Sequence, residues 1–426
     1  MKKFVLFLLL IIQLGASAEE IKPISLNEAI QIALENNLDY KSGKLNYDIA
    51  KNNIKSANRL QNPGIYTFWN FGKSGHGNPQ QIGITQTIEI AKRSPRKKLA
   101  QAKLKLTDND ILYMAFRLKT DVKIAYIETL GAKTKFHTLK EQEQLLQTLL
   151  DIAKKRVEAG ASAEIDVLQA KIALNQMTTT INNAKTEIDV ANINFNKVLN
   201  VPNEQYEIEG NFLTDSNITS DFKTPPLNIN LPDTQTVVNN YLERRFDIQI
   251  VKNNIEVAEK NLINVVRQRV PDIELEGGYG FQSKGMSDDG TFQNGGYIGA
   301  NLVNIPVLYS FSPEIKNAKL ELEQAQLNYD STKNKAAKDI QAKYEKFLTS
   351  RKNLNYYNET LLKESAEFIR LSKRSYEVGK SNLTTLIVME QNYRDIILGY
   401  SDTLAQYYTD WLEFLLSINQ EEMDEL

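Results

Sequence analysis

Cysteine is absent from the 426 residues, and histidine occurs only at His76 and His137. Thiol catalysis, disulfides and Cys/His zinc sites are therefore excluded. His76 falls in a loop and His137 in a helical pattern, and both are expected to be solvated surface side chains. The six methionines are dispersed, so no thioether relay for copper is visible. Glu158, Asp166 and other carboxylates sit on solvated helices without a converging partner, which leaves paired acid–base catalysis unsupported. No glycine-rich loop follows a strand to cradle a phosphate. The chain is read as a non-enzyme with no cofactor and no metal. What remains is turn chemistry: Gly160 and Gly379 can end helices in a left-handed conformation, and Ser162 can cap the helix after Gly160.

Those turns need long helices to carry them. Ser94-Pro95 has the form of a helix start, with Ser as N-cap and Pro at the first helical position. No proline occurs between Arg96 and Asn200, and only Gly131 and Gly160 interrupt. Leu104, Ile111, Leu118, Ala125, Ala132, Leu139, Leu146 and Ala153 recur every seven residues, keeping one apolar seam on one helix face. At 1.5 Å per residue, Arg96–Ala159 would run roughly 96 Å. The reading is a very long helical hairpin.

The N-terminus reads as a secretory signal over residues 1–18. Lys2-Lys3 is basic, Phe4–Ile12 apolar, and Ala16-Ser17-Ala18 a cleavage site. An uncleaved anchor is disfavoured because the apolar run is too short to span, and no lipid-bearing cysteine follows. A net charge of −2 gives no footprint for nucleic acid. No later segment approaches 18 consecutive apolar residues, so any membrane crossing must use β-strands.

The chain is also a tandem duplication. Leu34 against Leu242 opens an ungapped match at an offset of 208, with identical pairs Glu35/Glu243, Asp39/Asp247, Lys44/Lys252, Asn46/Asn254, Ala50/Ala258, Asn53/Asn261, Arg59/Arg267 and Pro63/Pro271. Ser94-Pro95 meets Ser312-Pro313 at 218, and Gly160 meets Gly379 at 219. The second long helix has its own spacing at Ile340, Phe347, Leu354, Leu361 and Phe368. Each half reads as helix (about Leu45–Gln61; about Val237–Arg269), two strands, long helix and return helix, with a shorter helix Leu26–Asn36 opening the first. This gives a first repeat over 19–200, an irregular linker over 201–233 with four prolines, a second repeat over 234–420 and an acidic tail over 421–426.

The strands decide between a scaffold and a membrane protein. Ile273, Leu275, Gly277, Tyr279 and Phe281 alternate with Glu274, Glu276, Gly278, Gly280 and Gln282, about the ten residues that a transmembrane strand needs. Ile82 and Ile84 alternate with Gln81, Gly83 and Thr85, and Ile298, Ala300 and Leu302 with Gly299, Asn301 and Val303. Ile65–Phe71 is weaker, being apolar or aromatic on both faces, and Trp69 in it is placed to join an interfacial aromatic belt. Lys73–Pro79 and Ser283–Asn294 have the composition of exposed hairpin tips. The competing reading is four strands of a soluble periplasmic domain.

With these elements in place, the chain resembles the TolC family of outer-membrane efflux proteins. The resemblance rests on Leu26-Asn27-Glu28-Ala29 with Ala33-Leu34-Glu35-Asn36-Asn37, and on Arg156-Val157-Glu158-Ala159-Gly160 followed by Asp166-Val167-Leu168-Gln169-Ala170. Tyr376-Glu377-Val378-Gly379 with Leu386, and Asn304-Ile305-Pro306-Val307, complete it. It implies a mainly α protein with a small transmembrane β part: a homotrimer whose twelve strands, four per chain, share one β-barrel continued by an α-helical barrel through the periplasm. It implies an outer-membrane location, a periplasmic adaptor and an inner-membrane pump as partners, and export of cargo. The docking tips would be Gly160, Ala161, Ser162, Gly379, Lys380, Ser381 and Asn382. The family's pore narrows just beyond the second turn, where acidic rings can bind cations; the matching positions here are Thr385 and Val388, neither acidic. Asp166 is the first-repeat counterpart of Thr385. These three form the expected constriction, closed by helix packing, with Asp166 and Glu390 the alternative carboxylates that could turn inward and supply charge. The alternatives are a periplasmic coiled-coil protein without a pore, which leaves the apolar strand faces unexplained, and an adaptor, which would carry one hairpin rather than two.

Overall fold

The computed structural model describes residues 22–71, 79–202, 205–213, 222, 224–227, 230–282 and 294–421. The expected signal segment, His76 and most of both hairpin tips and the acidic tail lie outside the described residues. The chain forms two compact units. One comprises Met1–Lys41, Tyr113–Arg245 and Ala336–Leu426, the other Ser42–Leu112 and Phe246–Lys335.

In chain order the elements are β1 (Lys22–Ile24), α1 (Leu26–Asn36), α2 (Leu38–Ala57), β2 (Gly64–Trp69), β3 (Pro79–Ile88), α3 (Arg93–Glu158), α4 (Glu164–Leu199), β4 (Tyr206–Ile208) and α5 (Thr234–Tyr241). After a 3-10 turn, Leu242–Arg244, come α6 (Phe246–Arg267), β5 (Asp272–Gln282), β6 (Gly295–Val303), α7 (Ser312–Tyr356), a π-turn (Tyr357–Leu361), α8 (Leu362–Glu377) and α9 (Leu383–Ile418). The duplicated order of elements is as expected, and among the described residues no helix is long and apolar enough to cross a membrane.

The expected single helix Val237–Arg269 is two helices broken at Arg245, and the first-half helix starts at Leu38 rather than Leu45. Both breaks are held by polar side chains, not by Pro or Gly. Asn37 Oδ1 accepts from the Tyr40 N–H at 2.9 Å. Arg245 donates to Asp339 at 2.8 Å and to the Ser417 carbonyl at 2.7 Å. The long helix begins at Arg93, so Ser94 is not its N-cap; Pro95 at the third position is tolerated because the first N–H groups of a helix have no intrahelical partner. Ser312 likewise lies within α7, whose first carbonyl acceptor is Phe311.

In the first unit the heptad seam of α3 is largely buried: Leu118, Ala125, Leu139, Leu146 and Ala153 are all covered. The seam of the second long helix departs from its expected course. Ile340, Phe347 and Leu354 are buried, but Phe368 is exposed and Ile369 and Tyr376 are buried instead. The π-turn explains this, since it takes up one extra residue and moves every later side chain round by one position. The change of repeat offset from 218 to 219 is that same residue.

An aromatic core fills the rest of this unit, with Phe347 and Trp411 rings 4.9 Å apart and Tyr344 and Phe414 also 4.9 Å apart. The linker is stitched to it. Trp411 Nε1 donates to the Phe222 carbonyl at 3.1 Å, Tyr407 to Pro225 at 3.2 Å, and Tyr344 to Pro232 at 2.7 Å. The linker is not wholly irregular, because β4 pairs in parallel with β1.

In the second unit β2, β3, β5 and β6 form one antiparallel sheet in that order. Lys92, just before α3, reaches Asp272, the first residue of β5, at 2.6 Å. Asn304, just after β6, donates to the same carboxylate oxygen at 2.9 Å. The buried Lys92–Asp272 pair, joined by the exposed Asn304, thus ties three junctions between sheet and helix.

Candidate functional site

The two turns are built alike. Gly160 (φ +71°) donates its N–H to Val157 at 2.9 Å, and Ala161 donates to Arg156 at 2.8 Å. Gly379 (φ +74°) donates to Tyr376 at 3.0 Å, and Lys380 to Ser375 at 2.8 Å. This pair of bonds satisfies the last helix carbonyls and requires a left-handed residue where glycine stands. A Cβ at either glycine would meet nothing within 4 Å, so the demand is conformational and not steric. Both turns are exposed.

The helices leaving the turns start differently. Asn382 Oδ1 accepts from the N–H of Thr385 at 2.8 Å and from its hydroxyl at 2.7 Å, capping α9. In the first repeat the cap position is Ala163, without a side-chain bond, so Ser162 is not the expected cap. Its hydroxyl donates to the Asp166 carboxylate instead. Asp166 and Thr385 therefore each spend a polar group locally, while Val388 is 44 % exposed. Glu390 is buried within the chain, only 2 % exposed, and its Oε1 lies 3.0 Å from Lys373 Nζ. Burial raises its pKa, against the opposing pull of Lys373.

Sequence reasoning missed how the two hairpins grip each other beside the turns. The Arg156 guanidinium lies 4.6 Å from the centre of the buried Tyr376 ring. The Thr384 hydroxyl donates to Gln169 Oε1 at 2.6 Å. Each contact joins one repeat to the other, and no spacing within a single repeat signals it. Among the described residues no group of three or more His, Cys, Asp or Glu could hold a metal.

The sheet offers a second surface. The register places Ile65, Thr67 and Trp69 on the face of Ile82, Ile84, Tyr279, Ile298 and Leu302, which resolves the ambiguity of the first strand. This apolar face is open: Ile298 is 93 % exposed and Ile65 79 %. The opposite face carries Tyr66, Gln81, Thr85, Glu274, Glu276, Tyr297 and Asn301. Across its middle run Tyr66, Gly83, Gly278 and Tyr297, with the two hydroxyls hydrogen-bonded to each other. A Cβ at Gly278 would lie 2.5 Å from the Tyr297 hydroxyl, so glycine there leaves room for the tyrosines to lie flat on the sheet.

This arrangement is that of known export channels. The sequence model of the outer membrane efflux protein family matches residues 29–201 and 237–412, one stretch for each repeat. No curated protein sequence matches the chain. Among solved structures, CusC aligns with a TM-score of 0.74 at 14% identity, covering 92% of this chain and 91% of that one. The outer membrane channel CmeC of Campylobacter jejuni aligns at 0.69 and 17% identity, covering 97% and 93%. The open-state outer membrane channel MtrE of Neisseria gonorrhoeae aligns at 0.70 and 14% identity, covering 93% and 89%. The expected TolC-like fold is therefore present, and the chain belongs to the outer membrane efflux protein family, whose members are channels of the outer membrane.

Proposed function

We propose that three copies assemble into one pore that passes cargo from an inner-membrane pump and a periplasmic adaptor to the exterior. The observation that carries this is the sheet: four strands with an exposed apolar face and, among the described residues, two open edges, β2 and β6. Open edges are not tolerated in lipid, and known single-chain barrels begin at 8 strands. Two copies would give eight strands, too narrow to conduct freely, and three give twelve. The apolar face would meet lipid, and the Glu276 face would line the pore. The helical unit would extend into the periplasm. There the exposed turns at Gly160–Ser162 and Gly379–Asn382 dock the adaptor, six per trimer. Val388, Thr385 and Asp166 lie just beyond them and form the constriction, closed by packing rather than by an acidic ring. Light scattering of the detergent-solubilised protein tests the assembly: a trimeric protein mass supports it, and a monomeric mass refutes it.

A further inference from the structure

The two segments leading from strand to long helix share a design that the pore reading does not use. In the first, Glu89 receives two bonds from the Arg96 guanidinium, both at 2.8 Å, and Lys92 is held by Asp272. In the second, Arg269 donates to the Ser310 carbonyl at 2.6 Å, and the Tyr309 hydroxyl donates to Glu314 at 2.5 Å. Polar groups thus tie both segments back to the helices and the sheet base. Their apolar side chains are left outside: Ile90 is 58 % exposed, Val307 80 % and Leu308 fully so. Ile90 and Leu308 occupy the same place in the two repeats, at the 218-residue offset that pairs Ser94 with Ser312.

Ile305, Val307, Leu308 and Tyr309 are exposed within five consecutive residues, and a contiguous exposed apolar group of this kind marks a contact surface. We propose that these segments form a membrane-interface collar, with Ile90, Val307 and Leu308 entering the boundary between headgroups and acyl chains at the helix-side rim of the sheet. Continuity argues for lipid over a second copy of the chain. Ile88, the last residue of β3, pairs with Ile273 on the face of Ile82 and Ile84, Ile90 follows two residues later, and Leu302 ends the same face on β6 opposite Ile273, just before the second segment. No charged residue occurs from Ile305 to Leu308. Tyr309 then turns its hydroxyl to Glu314, an apolar ring with a wet end, as suits an interface.

The inference rests on the reading that the apolar sheet face meets lipid, and the test separates the two. The chain has no cysteine, so Ile90→Cys and Leu308→Cys each take a single spin label without background. The assembled protein is reconstituted into phosphatidylcholine–phosphatidylglycerol liposomes, and collisions with oxygen and with a water-soluble nickel complex are measured, with Tyr279→Cys and Glu276→Cys as references. Expected is an oxygen-to-nickel collision ratio at 90 and 308 several-fold above that at 276, with a depth shallower than at 279. High nickel access at 90 and 308 would place the segments in water, and low access to both agents would place them against a second copy; either overturns the collar. Low oxygen access at 279 would overturn the sheet reading, and the collar with it.

Discussion

Removing the ammonium of Lys92 should unsettle the junction between sheet and helices more than any surface change nearby. Asp272 is 1 % exposed and Lys92 7 %. Their contact at 2.6 Å is the only ion pair of that carboxylate among the described residues. Oδ2 also accepts from Asn304 at 2.9 Å, and Oδ1 has no hydrogen-bond partner among the described residues. In Lys92→Met the carboxylate would keep one neutral donor against the full cost of a buried charge, a loss of about 3–5 kcal/mol. Lys92→Met/Asp272→Leu removes both charges, and replacing a buried pair by apolar residues is often close to neutral, so the double variant should recover to within ~1 kcal/mol of the parent. Guanidinium unfolding in detergent, followed by circular dichroism, gives the two single costs and the double. Single costs that simply add, or a Lys92→Met loss below ~1 kcal/mol, would refute the claim that this pair holds the junction together.

Three further outcomes follow from the helical unit. Gly379→Trp places a side chain on a left-handed residue, at ~1–2 kcal/mol, and blocks close approach at the turn; trimers should persist in the membrane while export is lost, and normal export at normal expression would remove the turn from the docking surface. Burial raises the Glu390 carboxyl above its ordinary 4.5, so the folded state holds that proton more tightly than the unfolded chain. Its contribution should be fully present below that value and fade as pH rises through the raised native one, and Glu390→Gln should flatten that part of a stability–pH profile; an unchanged profile would contradict the assignment. Val388→Asp should create block by divalent cations in planar bilayers if three copies converge there, and no change would place that position away from the pore.

Much of this architecture is legible in single residues, and its failures share a cause. Gly160 and Gly379 announce the turns because only glycine takes φ near +70° without strain. The strand alternation survives because its period of two needs no partner to be read. The break at Asn37 is legible, since Asn is a favoured N-cap and its side chain bonds the Tyr40 N–H three residues on, whereas the break at Arg245 carries no such mark, being held by Asp339 and Ser417 over ninety residues away. The strands β1 and β4 are three residues each, too short for any period, and pair across some 180 residues of sequence. The slip from Phe368 to Ile369 could have been read from the offset change between Ser312 and Gly379, since one extra residue in a continuous helix must be absorbed somewhere. Among the candidate site residues, the two glycines stood out for conformational reasons. The Arg156–Tyr376 and Gln169–Thr384 contacts did not, because each partner alone is an ordinary helix residue.

The central claim, that the Glu276 face lines a trimeric pore, is tested most directly by conductance of the purified protein in planar bilayers. The account predicts stepwise channel openings, and in Glu276→Lys an intact assembly with changed conductance and a selectivity shifted toward anions. An assembled Glu276→Lys channel with the parent's conductance and selectivity would contradict it.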